Sequence, residues 1–482
     1  MPNPALTPPG IHPDRLRVLA DGAPRAEGPV VYWMQQAQRA HANPALAHAL
    51  AIAALLQRPV GVVVGLTPNY PEASARAYAF LLEGLRELRG ALEARGIGFT
   101  VALGEPPEVA LAAARQAAVL VVDRGYLRHQ RAWRARVAAG APCPVVQVEG
   151  EAVVPVDVPS TKAEFAARTL RPRLWRVADA YLDLVPDADA PLRWAGPRLA
   201  LAPFVDVTDA LRDPERLRAR LAVDERVAPV SRLYPGGERA AEARLARLLG
   251  EVLPSYADDR NQPQRDGVSY LGMYLHFGQV SPVEVLRRVR AAATAADAPG
   301  VAAGAAAFVE ELLVRRELSL NHVERVPDYG SYASLPAWAR RTLEAHADDP
   351  RSHPYDDAAL LDGRTHDPYW NAAMLEMRAT GYQHNYMRMY WGKQVLAWSP
   401  SPEAAYARLL AWNNRFLLDG RDPNSYAGVG WVFGLHDRPW PERAVFGTVR
   451  TMNAAGLRRK ADPGAYVRKV EARVRSLKGD TP

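Results

Sequence analysis

PVGVVVGL at residues 59–66 and AVLVVD at residues 118–123 decide the architecture of the first third of the chain. Both are continuous, valine-rich apolar runs without polar alternation, the pattern of strands buried on both faces. Working outward, residues 30–33 (VVYW), 99–103 (FTVAL) and 144–150 (PVVQVEG) read as further strands. Between them lie helical stretches at 43–57, 72–95, 107–116 and 126–138; Asn43 caps the first, with Pro44 at its first position. This alternation predicts an α/β domain, a Rossmann-like five-stranded parallel sheet covered by helices on both faces. Any ligand then sits at the carboxyl ends of the strands. No G-x-G-x-x-G or G-x-x-x-x-G-K-[ST] follows these strands, so the common phosphate cradles are absent and the shape alone does not name a ligand.

From residue 234 the pattern becomes helical. Ser281-Pro282-Val283-Glu284 has the form of a capping box, residues 302–325 carry a helical period, Asp367-Pro368 opens a helix that Gly381 ends, and 385–398 is another helix. The expected organisation is a disordered Pro-rich leader (1–27), an α/β domain (28–155), a linker (156–233) with a helical piece near 174–182, an all-α domain (234–470) and a basic tail (471–482). A chain of 482 residues has room for two or three cores. No apolar run approaches the ~20 residues of a membrane span. The start, MPNPALTPPGIHPDR, has no basic head and apolar segment of a secretory signal. The single cysteine, Cys143, excludes an internal disulfide and a cysteine metal cluster and suits a reducing cytoplasm. The net charge is +7, and residues 434–482 hold 11 Lys or Arg against 5 Asp or Glu. That imbalance suits a polyanion such as nucleic acid, or a plain solvated tail.

Residues 366–431 are the most informative for chemistry. They hold five of the chain's 11 tryptophans (Trp370, Trp391, Trp398, Trp412 and Trp431) among Asn385, Arg388, Asn413, Asp419, Asp422 and Asn424. Oxidisable rings beside paired polar groups fit a redox cofactor within helices, or an aromatic core with structural ion pairs. Asn385, Arg388 and Met389 share one helix face, and a buried Arg388 needs a carboxylate from Asp419 or Asp422. Trp391 and Trp398 stand two turns apart, about 10 Å along a helix; through Trp370 they form either an electron relay or a packing seam. Glu311 and Arg315, at i and i+4, read in isolation as a surface pair. The small-residue loop around Ser269–Gly272 is a weak diphosphate signal. The 11 histidines are scattered without metal-ligand spacing, and no G-x-S-x-G occurs.

Seven segments, in order, carry a resemblance: YWMQQAQR, SYLGMYLHFGQVSP, FVEELLVRREL, HDPYWNAAMLEM, HNYMRMYWGKQVLAW, WNNRFLLDGRDPNSYAGVGW and HDRPWPERAVFGTVRTM, between about residues 30 and 457. The chain resembles the class II cyclobutane pyrimidine dimer photolyases of the photolyase/cryptochrome family. The resemblance implies a light-driven DNA-repair lyase with an N-terminal α/β antenna domain, a long linker and a helical domain holding folded FAD. It implies that Tyr256, Val268, Ser269, Tyr270 and Leu271 meet the cofactor, with the phosphates at the 269–271 loop. Glu311 sits beside the adenine and the lesion. Asn385, Arg388 and Asn413 line the ring system, with Arg388 paired to Asp419, and Asp422 and Asn424 are nearby. Either Asn413 or Asn424 faces the flavin N5. Trp391, Trp370 and Trp398 form the relay. Met389 and Trp431 face the flipped bases, while Arg260, Arg315, Asp437, Arg438, Arg443 and Arg450 contact the DNA.

The family's chemistry adds one electron to the dimer from the excited, reduced anionic flavin, whose charge Arg388 would stabilise. Glu311 would then carry or share a proton, to donate to the dimer carbonyl. Photolyases are among the enzymes that extrude their target base, and a damaged, poorly stacked pair costs less to flip. The implied partner is UV-damaged DNA, duplex or single-stranded; the implied state is a cytoplasmic monomer, nucleoid-associated in a prokaryote, with no membrane and no metal. An antenna pigment of deazaflavin or folate type is possible in the first domain, its residues not legible. The rival readings are a cryptochrome-like blue-light receptor, a (6–4) photolyase and a nucleotide- or DNA-binding protein without photochemistry.

Overall fold

The computed structural model describes residues 3–296 and 298–479. The five expected parallel strands are all present: β2 (Val30–Trp33), β3 (Val60–Leu66), β4 (Gly98–Leu103), β5 (Val119–Asp123) and β6 (Val145–Val148). Two more strands close the edges, β1 (Leu16–Ala20) and β7 (Val205–Asp206), giving the order β1-β6-β5-β2-β3-β4-β7. Both edge strands run antiparallel to their neighbours. Almost every residue of the five central strands is buried, because helices α1 (Pro44–Leu56), α2 (Ala75–Ala94), α3 (Pro106–Ala114) and α4 (Arg128–Gly140) cover the sheet. Asn43 caps α1 by accepting from Leu46 N.

The expected sheet of five strands is thus corrected to seven, and the leader is not disordered where it is described. Leu6 is fully buried, and β1 pairs with β6 from Leu16↔Val148 to Ala20↔Val145. Arg15 reaches the carbonyl oxygens of Glu149, Ala152 and Val153 at 3.0, 3.0 and 2.7 Å. The linker likewise contributes β7, a helix at Ala167–Val177 and a 3-10 turn at Ala178–Tyr181. The supposed basic tail continues a helix, Pro463–Lys478; residues 480–482 lie outside the described part.

The helical domain carries the site on α5 (Pro299–Val309), α6 (Arg316–Arg325), α7 (Pro368–Thr380), α8 (Asn385–Trp398), α9 (Pro402–Phe416), α10 (Pro423–Val432) and α11 (Pro463–Lys478). Asp367 caps α7 by accepting from Tyr369 N and Trp370 N, and Gly381 ends it at φ 71°, the left-handed conformation that glycine adopts without strain. Ser281 caps the helix Pro282–Ala295 through Glu284 N. The stretch read as one helix from 302 to 325 starts at Pro299 and is broken by a π turn, Glu310–Arg315. The core of this domain runs through Trp370, Trp391, Trp398 and Trp412.

The two domains are tied by buried polar contacts. Arg39 of the first domain bonds Glu151 at 2.6 Å and Gly278 O at 3.0 Å. Glu317 of α6 accepts from Val153 N at 2.5 Å, and burial pushes its carboxyl up to about 8.

Candidate active site

One face of α8 builds a wall. Asn385, Arg388, Met389 and Lys393, spaced i, i+3, i+4 and i+8, all line a cavity of about 690 Å³. The N-terminus of α8 is fixed from behind: His384 Nδ1 accepts from Tyr386 N, and His384 N donates to the buried Glu376, which also accepts from Tyr466 OH at 2.7 Å. That carboxylate therefore joins α7, α8 and α11. From α9 and α10 come Asn413, Asn424 and Trp431; from the π turn come Glu311 and Arg315; the rim is formed by Arg260, Asp437 and Arg450.

The ion pair expected for Arg388 forms with Asp419, Nη2 lying 3.2 Å from each carboxylate oxygen. The side chains are 23% and 28% exposed, and Arg388 lines the cavity. Arg388 Nε and Trp391 Nε1 are buried with no hydrogen-bond partner among the described residues. Asn413 is 2% exposed and donates to Asn414 Oδ1 at 3.3 Å. Asn424 Nδ2 is held by Asp422 at 2.8 Å. Asp422 points away from this cavity: it caps α10 and faces His276 at 3.4 Å.

Glu311 and Arg315 do not pair with each other. Arg315 Nε meets Glu310 at 3.2 Å, and Glu311 Oε1 accepts from Arg260 Nη2 at 2.6 Å. The π turn is the physical reason, since it makes i and i+5 neighbours in place of i and i+4. Glu310 is also gripped by Arg171 of the linker, at 2.7 Å. Arg260 thus occupies Oε1 of Glu311 in this structure.

Trp370, Trp391 and Trp398 are buried to 0%, 2% and 3% exposure. Trp391 lines the cavity; Trp370 donates its Nε1–H to Trp391 O at 3.0 Å; Trp370 and Trp398 meet edge to face at 5.3 Å between centroids. Trp398 in turn touches Tyr355 and the exposed His366 at 5.3 and 5.5 Å. Rings in contact therefore lead from Trp370 through Trp398 to the surface, while Trp370 meets Trp391 at its backbone carbonyl.

Tyr256, Val268, Ser269, Tyr270 and Leu271 do not line the cavity but lie alongside it. A Cβ on Gly272 would stand 3.5 Å from Asp419 Oδ2, so this loop abuts the Arg388–Asp419 pair. Ser269 Oγ accepts from Leu271 N at 3.2 Å, Tyr270 holds φ 56°, and the guanidiniums of Arg244, Arg247 and Arg473 surround its ring at 5.4, 6.0 and 6.0 Å. Arg260 also lies over the Tyr256 ring, at 5.9 Å.

Two features of the rim escaped the sequence. Trp440 is sandwiched by Arg438 at 5.3 Å and Arg450 at 5.1 Å, and its Nε1–H reaches Asp437 at 3.3 Å. The arginines and the aspartate were expected; the ring that organises them was not, although R-P-W within a basic loop offered the signal. Arg443 is exposed and lies outside the cavity, in a turn closed by its own N–H to Gly447 O. His436 also lines the cavity; burial brings its imidazole down to about 4, with Arg315 pushing the same way.

A second pocket opens at the carboxyl ends of β2, β3 and β5, and the strand order reverses between β2 and β5. Trp33 Nε1, Gln35 Oε1, Gln38 Oε1 and Glu151 Oε2 are buried there without partners among the described residues, and Arg421 and Asp422 close it from the helical domain. Among the described residues no cluster of His, Cys, Asp and Glu has the geometry to hold a metal, and no helix is long and apolar enough to cross a membrane.

The family described as DNA photolyase matches residues 30–191. The chain is 42% identical over 467 residues to a deoxyribodipyrimidine photo-lyase of Methanothermobacter thermautotrophicus, covering 95% of this chain and 98% of that one. It is 39% identical to the protein of that name from Oryza sativa subsp. japonica, covering 97% and 94%. A class III photolyase from Agrobacterium tumefaciens shares the fold at TM-score 0.69 and 19% identity, over 92% of this chain and 86% of that one. A Synechocystis cryptochrome does so at 0.68 and 16%, over 92% and 88%. By its full-length relatives the chain belongs to the DNA photolyase family.

Proposed function

We propose that this chain is a class II photolyase that splits cyclobutane pyrimidine dimers in DNA, using FAD held in the helical domain. The observation that carries the reading is the composition of the 690 Å³ cavity: a polar wall of Asn385, Arg388 and Asn413, an apolar wall of Met389 and Trp431, and an arginine rim. The orphaned Arg388 Nε and Trp391 Nε1 fit a cofactor that accepts hydrogen bonds. The cation-ringed loop at Ser269–Leu271 fits its phosphates, with Tyr256 and Val268 beside it. When bound, the flavin supplies the photochemistry and the single electron that opens the cyclobutane ring.

The protein's own residues then have distinct tasks. Arg388, balanced by Asp419, stabilises negative charge on the ring system. Asn413, on the helix wall opposite, is positioned to hold a ring nitrogen, and Asn424, tethered by Asp422, orders the neighbouring turn. Met389 and Trp431 offer apolar surface to the flipped bases; Arg315, over the Trp431 ring at 5.2 Å, stiffens that surface. Arg260 exchanges Glu311 for a DNA phosphate on docking, which leaves Glu311 free to face the lesion. Arg438, Trp440 and Arg450 form a rigid wedge at the rim that fills the gap left by the extruded pair, with Asp437 orienting the ring and Arg443 on a backbone phosphate. Trp391, Trp370 and Trp398 carry electrons from the surface when the cofactor arrives oxidised.

The second pocket fits an antenna pigment of the deazaflavin or folate type: it is lined by Trp33 and Tyr70, and its Gln and Glu oxygens without a partner among the described residues would accept from a donor-bearing ring. Extraction of purified protein and absorption spectroscopy identify both chromophores. Glu311→Ala tests the active site: the quantum yield of repair falls more than the affinity for dimer-containing DNA. A loss confined to affinity removes the assigned role. A blue-light receptor of the cryptochrome kind would hold the same cofactor yet leave dimers intact.

A further inference from the structure

Lys393 stands in the middle of α8 and is 1% exposed. It continues the series Asn385 and Met389 at four-residue steps, so it shares their face and lines the cavity. Its Nζ donates to the carbonyl oxygen of Val432 at the end of α10. That carbonyl is its one hydrogen-bond partner among the described residues. The charged groups acting on it are Asp437, which favours the ammonium, and Arg450, which opposes it. α10 itself carries no charged residue, and His436 on the neighbouring loop is held neutral by burial. A buried ammonium that only a carbonyl satisfies is costly. Burial accordingly lowers the amine's pKa to about 7.

We propose that Lys393 is a contact for the damaged strand that becomes a full cation only when an anionic phosphodiester enters the cavity, so that DNA docking takes up one proton. The proposal rests on the repair reading above. The step is balanced: the neutral amine gains a proton from solvent and becomes the ammonium that faces the phosphate. The other basic groups lining the cavity are the guanidiniums of Arg260, Arg315, Arg388 and Arg450, charged at any ordinary pH, the exposed Lys460, and His436, which burial holds neutral. Lys393 is the buried amine among them, and the one that burial brings towards neutrality. A further fixed cation at its place would repel Arg450 in the free protein. A conditional one adds attraction only when the polyanion is present, and then favours the extruded lesion over a duplex that leaves the cavity unfilled.

The test uses the flavin-bearing protein in the dark, with a duplex holding one thymine dimer and an undamaged control, at constant ionic strength from pH 6.5 to 8.5. For wild type, Kd of the dimer duplex weakens above pH 7 towards about tenfold per pH unit, the signature of one linked proton. Lys393→Arg, permanently charged, gives a flat profile. Lys393→Met gives a flat profile with weaker binding at pH 6.5. Calorimetry in two buffers of different ionisation enthalpy finds about one proton taken up by wild type at pH 8 and none by either variant. A pH-independent wild-type Kd, or wild-type slope and uptake persisting in Lys393→Met, overturns the proposal while leaving repair intact. Failure of wild type to prefer the dimer duplex overturns the repair reading itself, and the proposal with it.

Discussion

Replacing Arg76 by methionine should loosen both chromophore-facing helices at once. Arg76 belongs to α2 of the sheet domain and is 3% exposed. Its guanidinium donates to Ala228 O at 2.9 Å, Met377 O at 3.2 Å, Arg378 O at 2.7 Å and Phe416 O at 2.7 Å. Met377 and Arg378 lie in the last turn of α7, and Phe416 ends α9. One cation thus satisfies carbonyls that two helix C-termini leave unpaired, at the ends that carry the negative pole of each helix. Among the described residues no carboxylate pairs with it, and burial brings its pKa down to about 10. Arg76→Met keeps the apolar stem and removes all four donors. Hydrogen bonds from a charged group are worth about 1.5–3 kcal/mol each, offset by relief from burying the charge, so the net loss is about 3–5 kcal/mol. Whole-chain unfolding at about 2.1 cal/mol/K per residue gives an unfolding entropy near ~1 kcal/mol/K, and Tm falls by about 3–5 °C. Melting followed by circular dichroism and by fluorescence of released flavin tests this. Flavin release should shift at least as far as backbone melting, because α7 carries Trp370 and α9 carries Asn413. A variant with unchanged Tm and unchanged flavin release refutes the clamp.

Glu317 provides a pH signature. Burial raises its folded-state pKa to about 8, above the unfolded value, so its stabilising contribution is complete below about 4.5 and is lost as pH rises towards 8. Glu317→Gln should flatten the stability-versus-pH curve across that window by a few kcal/mol; denaturant titrations at pH 5 and 8 with the wild-type difference retained would contradict it. Trp391→Phe should slow light-driven reduction of oxidised flavin while repair by pre-reduced enzyme persists; equal loss of both removes the relay role. Trp440→Ala should weaken dimer-duplex binding by about 1–2 kcal/mol, roughly tenfold, while affinity for a dimer in single-stranded DNA changes little. Equal loss on both substrates would show that the ring is not a duplex wedge.

What the sequence revealed follows from physical context. The central strands were legible because burial on two faces leaves uninterrupted valine runs. β1 was not, because LRVLA is partly exposed and follows a Pro-rich stretch, and β7 is only two residues long. The bounds of α8, 385–398, matched the reading, as Ser399-Pro400 stops it. Arg388 with Asp419 was among the pairings weighed, since a buried guanidinium requires an acid. Glu311 with Arg260 was hidden because nothing in FVEELLVRREL announces a π turn. Lys393 was passed over because lysines normally lie on surfaces, and only its four-residue spacing from Met389 hinted otherwise.

Dimer splitting itself is the decisive measurement. Protein loaded with FAD and reduced anaerobically is mixed with an oligonucleotide bearing one thymine dimer, illuminated with blue light or kept dark, and assayed chromatographically for restored thymines. Thymines should be restored in the light sample alone, with many turnovers per enzyme. Dimers that survive illumination, with reduced flavin demonstrably bound, would contradict it.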